Sequence, residues 1–577
     1  MSDKNDPKGM RKGLTSYGDE GFSLFLRKAF IKGAGYTDHA LDRPVIGIVN
    51  TGSAYNPCHG NAPQLIEAVK RGVLMAGGLP MDFPTISVHE SFSAPTSMYL
   101  RNLMSMDTEE AILAQPMDAV VMIGGCDKTV PAQLMGAASA NVPAIELVTG
   151  SMLTSSHRGE RVGACTDCRR YWGKFRAEEI DDEEIVDVNN RLVGSVGTCS
   201  VMGTASTMAC ITEALGMMVP GGASAPAVTA DRVRVAEVTG TTAVQLARSK
   251  LTPDRIMTAK AFENALRVLL SIGGSTNGII HLTAIAGRMG FEVDLARVDA
   301  LSRETPVLVD LKPSGQHYME DFHKAGGMQA LLRELRPLLH LDALTVTGRT
   351  LGEELDAAPA PFVQDVIRPF SQPIYPQGGI AVLKGNLAPG GAIIKQSAAA
   401  PALMEHEGRA VVFENAEDLA KRVDDPDLDV TPEDILVLKM IGPKGAPGMP
   451  EAGYMPIPRK LAKAGVKDMV RISDGRMSGT AAGTIVLHVT PESAVGGPLA
   501  YVQTGDRIRL SVTNREITLL VDDAELARRA AAKPQQVPSA ERGYRKLFLQ
   551  SVTQADQGVD FDFLRAAAIR GKIPESR

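Results

Sequence analysis

The chain has 577 residues, of which 44% are hydrophobic and 22% charged, with 56 glycines and a formal charge of -6. That length exceeds what one hydrophobic core usually serves, and the apolar content excludes a disordered chain, so two or more globular domains are expected. The mildly acidic balance gives no general attraction to nucleic acid or anionic membranes, which leaves a small molecule as the expected partner.

The opening residues, MSDKNDPKGMRKG, are polar and lack the apolar stretch of a secretory signal, and no later apolar run approaches membrane-spanning length. A cytoplasmic protein is expected. In that compartment six cysteines argue for metal binding or catalysis rather than for a disulfide framework.

From Pro44 to Gly150, apolar runs alternate with amphipathic stretches. PVIGIVNT predicts a strand, PQLIEAVKRGVLMAG a helix, and FPTISVHE, DAVVMIGGCDKT and VPAIELVTG three further strands, with helical material around Ser97 to Met104 and Pro131 to Ala140. This pattern predicts a parallel α/β sheet, with ligands at the carboxyl ends of its strands. Cys58 then lies in the loop after the first strand, Glu90 ends the second, and Cys126, Asp127 and Lys128 sit just past the third. Residues 205–218 and 258–287 read as helices, the second broken by GGSTNG at 273–278, where a glycine pair costs helix stability and implies a functional turn.

Prolines recur between Pro359 and Pro401 and helical periodicity is lost, so a domain junction is placed there. Beyond it the runs AVLKG, RAVVF, DILVLKM, MVRIS and TIVLHV, and a hairpin in DRIRLSVTNREITLLV, predict a β-rich, barrel-like domain ending in a short helix and tail. The expected organisation is an N-terminal α/β domain over residues 1–375, with an arm to about residue 40, and a C-terminal barrel-like domain over 376–577. No solenoid repeat, low-complexity segment or coiled-coil heptad is present.

The sharpest local signal is GGCDKT at 124–129, which sets a soft thiolate, a hard carboxylate and an amine side by side after glycines that admit a ligand. Thiolates suit iron and carboxylates suit magnesium, so paired sites for different metals are reasonable. A buried cysteine with a capping aspartate is the competing reading. Cys58 in YNPCHGN and Cys199 in VGTCSVMGTAS share this loop character, yet their spacing matches neither a zinc ribbon nor a ferredoxin. Three thiolates on a cluster would leave one iron open to act as a Lewis acid.

Cys165 and Cys168 in GACTDCRRYWGK form a C-x-x-C pair open to a redox or zinc reading, against which structural thiols are favoured because no second pair completes a zinc site. Cys210 in a helical run is packing. Glu90, Asp127 and Glu451 make an all-oxygen set suited to Mg²⁺, and His59 and His89 are candidates for orienting substrate or for local hydrogen bonds. Ser478, in SDGRMSGT, follows the strand MVRIS in a glycine-flanked turn outside the G-x-S-x-G pattern, so activation as a base by a metal suits it better than an acyl-transfer triad.

PCHGN, GGCDKT, GTCSVMGTAS, GGSTNG, GPKGAPGMPE and SDGRMSG, in this order and nearly end to end, resemble the dihydroxy-acid and sugar-acid dehydratase family that includes phosphogluconate dehydratase. The resemblance implies an α/β domain and a barrel-like domain with the site between them, and a homodimer or homotetramer. It implies that Cys58, Cys126 and Cys199 hold a [2Fe-2S] cluster, with [4Fe-4S] as the alternative. It further implies that Glu90, Asp127 and Glu451 surround Mg²⁺, that Lys128 is carbamylated and adds a metal ligand, that Ser478 is the base, and that Thr480, Ser275 and Thr276 hold substrate. Glu90 in place of the aspartate usual in the branched-chain amino-acid enzymes, PCHG in place of PCN, and the opening SYGDEGFSLFLRKAFIKGAGYTD point to the aldonate branch, whose substrates include L-arabinonate and D-xylonate. Dihydroxy-acid dehydration, or an enzyme doing both, is the alternative, and a non-catalytic iron-sulfur or thiol sensor using Cys165 and Cys168 is the reading from another class.

Overall fold

The structure, a computed structural model, describes residues 8–532 and 537–573; the first seven residues of the expected arm and the last four of the tail lie outside them. The N-terminal half is built on a parallel sheet of β1 (Val45–Asn50), β2 (Leu79–Pro84), β3 (Ala119–Gly124) and β4 (Ala144–Val148), in the order β2-β1-β3-β4. β1, β3 and β4 are continuous Val/Ile-rich runs and almost wholly buried, as strands covered on both faces require. Helices Ala62–Met75 and Ala230–Ser249 pack against each other so closely that a Cβ on Gly72 would lie 2.0 Å from the Glu237 carbonyl oxygen. Only glycine permits that approach.

The expected second strand, FPTISVHE, is displaced. β2 occupies LPMDFP: its register with β1 runs from Val45 opposite Leu79 to Asn50 opposite Pro84, and the Thr85 N–H donates to the Asn50 carbonyl, where β1 ends. Glu90 therefore does not end a strand; it opens the short turn Glu90–Phe92, six residues later. The helical expectation at 258–287 resolves into Ala259–Ser271 and Asn277–Arg288, broken at GGSTNG with Gly273 at φ +55°. The helix expected at 205–218 ends earlier, as Thr204–Ala214.

The C-terminal half is a closed eight-stranded barrel of β5 (Ala381–Gly385), β6 (Ala388–Ile394), β7 (Glu405–Phe413), β8 (Ile435–Leu438), β9 (Arg471–Ser473), β10 (Ile485–Thr490), β11 (Arg507–Ser511) and β12 (Glu516–Leu519). Their order is β7-β8-β9-β10-β6-β5-β12-β11, closed by antiparallel pairing of β11 with β7, and β11 and β12 form the expected hairpin. β5 and β6 fall inside the proline-rich stretch expected to be a junction. Pro389 is tolerated there because it sits at the start of its strand, where a missing N–H costs little.

The tail is embedded rather than free. Phe548, in helix Gly543–Ser551, and Phe561 are fully buried against Met98, Ile280 and Met449. The buried Arg101 guanidinium donates to the carbonyls of Gly558 and Val559, and Arg288 forms a fully buried ion pair with Asp560 at 2.6 Å. No helix among the described residues is long and apolar enough to cross a membrane.

Candidate active site

The loops after β1 and β3 converge. The second carries Asp127 and Lys128 into helix Thr129–Ala140, and the Lys128 ammonium, fully buried, sits among three carboxylates. Asp127 Oδ2 lies 3.0 Å away, Glu90 Oε2 3.2 Å and Glu451 Oε1 3.7 Å. Glu90 is fixed by the start of the next helix, Ser97–Ala114: the Thr96 hydroxyl donates to Oε1 at 2.6 Å, and the Ser97 amide and hydroxyl donate to Oε2. Burial works against the Glu90 charge, but Lys128, Arg476 and these donors together hold its carboxyl well below the usual range. Asp127 is likewise held low, since Lys128 outweighs burial and the repulsion of Glu90.

The carboxylates come from three distant segments, and their common neighbour is a cation. A divalent ion fits the same oxygens once the ammonium charge is removed or turned into a ligand, because hard carboxylate oxygens are the donors magnesium takes.

Beside them stand the thiols. Cys58 and Cys126 are buried, and their sulfurs and a His89 ring nitrogen all lie within 4.8 Å of one another. The contact with Cys126 and burial push the Cys58 thiol up, so a bound metal would have to supply the charge that stabilises its thiolate. His59 does not face a substrate. Its Nδ1 lies 2.9 Å from the Thr51 carbonyl oxygen and its Nε2 accepts from the Cys126 amide at 2.9 Å, which fixes a neutral tautomer that holds the Cys126 turn; burial lowers its pKa to about 4. Cys199 has a different neighbour: its sulfur lies 3.2 Å from that of Cys165. Cys168, the other half of the C-x-x-C pair, packs beside Val162, Tyr171, Val188 and Leu192. Cys210 is fully buried, as its helical context predicts.

The serine turn closes the site from the barrel side. Ser478 is half-buried, and its Oγ lies 2.8 Å from Thr480 Oγ1. Thr480 packs on Gly203, four residues past Cys199, where an added Cβ would meet its methyl at 2.8 Å. Its carbonyl accepts from Thr166 at 3.0 Å. GGSTNG lies beneath: the Ser275 hydroxyl is engaged with Thr204 at 2.8 Å and with the Asn277 amide, while Asn277 also donates to the Met477 carbonyl. Ser275 therefore supports the turn. Thr276 Oγ1 is buried with no hydrogen-bond partner among the described residues.

Two cations of this site escaped the sequence reading. Arg476, fully buried, donates to the Met449 carbonyl at 2.6 Å, to Glu451 at 3.2 Å and to Thr96 at 3.3 Å, joining the serine turn to two of the carboxylate segments. Lys395, at the end of β6, is fully buried with its amine 3.5 Å from the Gly479 carbonyl, and burial lowers its pKa to about 7. The signal for Arg476 was its place inside SDGRMSG; for Lys395 it was a charge ending the apolar run GGAII.

Comparison with known proteins bears on the whole chain. Residues 43–354 match the family described as Dihydroxy-acid/6-phosphogluconate dehydratase N-terminal, and residues 365–559 its C-terminal counterpart. The chain belongs to this dehydratase family. It is 47% identical to an L-arabinonate dehydratase of Rhizobium leguminosarum bv. trifolii over 95% of each chain. It is 45% identical to a 6-deoxy-6-sulfo-D-gluconate dehydratase of Pseudomonas putida over 91% of each. A dihydroxy-acid dehydratase of Caldicellulosiruptor bescii is 38% identical over 93% of this chain and 98% of its own. As a member of this family the chain is a hydro-lyase.

Proposed function

We propose that the protein dehydrates an aldonate such as L-arabinonate or D-xylonate to the 2-keto-3-deoxy acid. The observation that carries this reading is the convergence of Glu90, Asp127 and Glu451 on one buried cation position beside Cys126, with the Ser478 turn tied to it through Arg476. The relatives favour a sugar acid, their identity of 45–47% exceeding that of the dihydroxy-acid enzyme at 38%. Dihydroxyisovalerate is the second substrate to test.

Cys58, Cys126 and Cys199 would hold the cluster, read as [2Fe-2S] with [4Fe-4S] as the alternative, and Glu90, Asp127, Glu451 and a carbamylated Lys128 would hold Mg²⁺. When bound, these metals supply Lewis acidity toward the substrate carboxylate and hydroxyls. Ser478 takes the C2 proton, and the Thr480 hydroxyl stabilises its oxyanion by donating across their 2.8 Å contact. Arg476 keeps the serine turn in register with Glu451. Thr480 and Thr276 offer hydroxyls to the substrate, with Ser275 supporting them. The C2–H and C3–O bonds break, water leaves, and the enol tautomerises to the keto acid. We place the domain boundary at 375/376, the protein in the cytoplasm, and its assembly as a homodimer or homotetramer.

The test is a keto-acid assay of anaerobically purified protein on L-arabinonate, D-xylonate, D-gluconate and dihydroxyisovalerate, with and without Mg²⁺. Turnover of an aldonate supports the reading; a cluster-loaded protein inactive on all four sinks it and leaves the sensor reading, which has no use for Asp127, Glu451 or Ser478. Ser478→Ala is expected to abolish turnover with the cluster spectrum intact.

A further inference from the structure

The reaction above has no use for Cys165, yet Cys165 is the sulfur closest to Cys199, at 3.2 Å. The four thiols thus fall into two pairs, Cys58 with Cys126, their sulfurs within 4.8 Å of each other, and Cys165 with Cys199. That pairing matches a two-iron cluster held by four cysteines, two on each iron. Two thiolates on one tetrahedral metal, with bonds of about 2.3 Å, stand about 3.8 Å apart, so the Cys165–Cys199 pair needs to open by little more than half an ångström. Cys165 is also held where it is. It occupies the position just before helix Thr166–Arg176; the adjacent Thr166 donates to the Thr480 carbonyl at 3.0 Å; and Cys168, packed in its apolar cluster, lies beside it.

We propose that Cys165 is a fourth, displaceable cluster ligand that shares an iron with Cys199 and closes the open coordination position while the site is empty of substrate. The proposal rests on the cluster reading given above. No electron moves in the exchange: the Cys165–iron bond breaks, the substrate's C3 hydroxyl oxygen takes the position, and the released thiolate takes a proton from water. In the resting enzyme the iron is shielded from oxygen, and substrate binding alone uncovers it.

The experiment compares full-length wild type, Cys165→Ala and Cys165→Ser after anaerobic reconstitution, by iron and sulfide content, by electron paramagnetic resonance of the reduced cluster with and without L-arabinonate, and by the rate of bleaching in air. Wild type is expected to change its spectrum when L-arabinonate is added. Cys165→Ala is expected to show an open-site spectrum without substrate and to bleach at least fivefold faster. Cys165→Ser, which offers oxygen instead of sulfur, is expected to give a third spectrum, and it decides the matter if the alanine variant fails to load. Identical substrate-free spectra and equal bleaching rates overturn the proposal while leaving the dehydratase reading intact. Failure of wild type to take up any cluster overturns both.

Discussion

At Lys128 one ammonium lies among three partly buried carboxylates, and its removal would leave Asp127 and Glu90 facing each other with only the Arg476 guanidinium, bonded to Glu451, as a nearby counterion. Breaking a buried ionic arrangement from one side typically costs about 3–5 kcal/mol. Lys128→Met is therefore expected to lower the melting temperature in metal-free buffer, and Mg²⁺ in excess is expected to restore much of the loss by occupying the vacated charge position. Calorimetry with and without Mg²⁺ checks this; equal destabilisation in both buffers would remove the carboxylates from the role of ion ligands. The grouping of Glu90, Asp127 and Glu451, which the structure brings round one ammonium, was legible in the sequence because Asp127 and Glu451 sit in short glycine-rich motifs. Arg476 and Lys395 were not, since a buried cation draws its meaning from groups distant in the chain: Thr96 is 380 residues from Arg476.

Among the elements, the strands of the barrel were readable as alternating or continuous apolar runs, whereas β2 was placed too late because FPTISVHE alternates well in isolation. Its true position is set by pairing with β1, which no local pattern encodes. β6 and β10 lie side by side and both serve the serine turn. Lys395, at the end of β6, holds the Gly479 carbonyl, and Lys395→Met is expected to lower kcat by at least tenfold with little change in KM, because it loosens the base rather than the substrate contacts; an unchanged kcat would assign Lys395 to packing alone. His488 on β10 is buried, and desolvation with nearby Arg476 lowers its pKa to about 3. Its folded pKa lies below the unfolded value near 6.5. Above pH 6.5 it is neutral in both states and changes nothing. As pH falls from about 6.5 toward 3, the unfolded chain alone takes the proton and stability drops, by up to tenfold in the folding constant per pH unit. His488→Gln is expected to make the acid limb of a denaturation profile shallower by up to one proton.

For the whole molecule, the order of the halves and the barrel character of the second followed from hydrophobic periodicity, but the tail did not. It was expected only as a short helix and tail, and the structure places Phe548 and Phe561 in a shared core and pairs Asp560 with Arg288. Arg288→Met leaves Asp560 buried and unpaired and is expected to cost about 3–5 kcal/mol in denaturant unfolding, with the double variant carrying Asp560→Leu recovering part of it. If the double variant is as unstable as the single, the cost lies in Arg288's other bonds to Ser105 and Ser139. The tail also bears on biosynthesis. Arg101 lies one turn along from the Thr96 and Ser97 groups that fix Glu90, and it is satisfied by the carbonyls of Gly558 and Val559. A nascent chain can expose its cysteines long before it has made those residues. The segment that fixes Glu90 is thus braced by residues 457 and 458 positions further along the chain, so the carboxylate is expected to be held in place only once that later segment has been made and has docked.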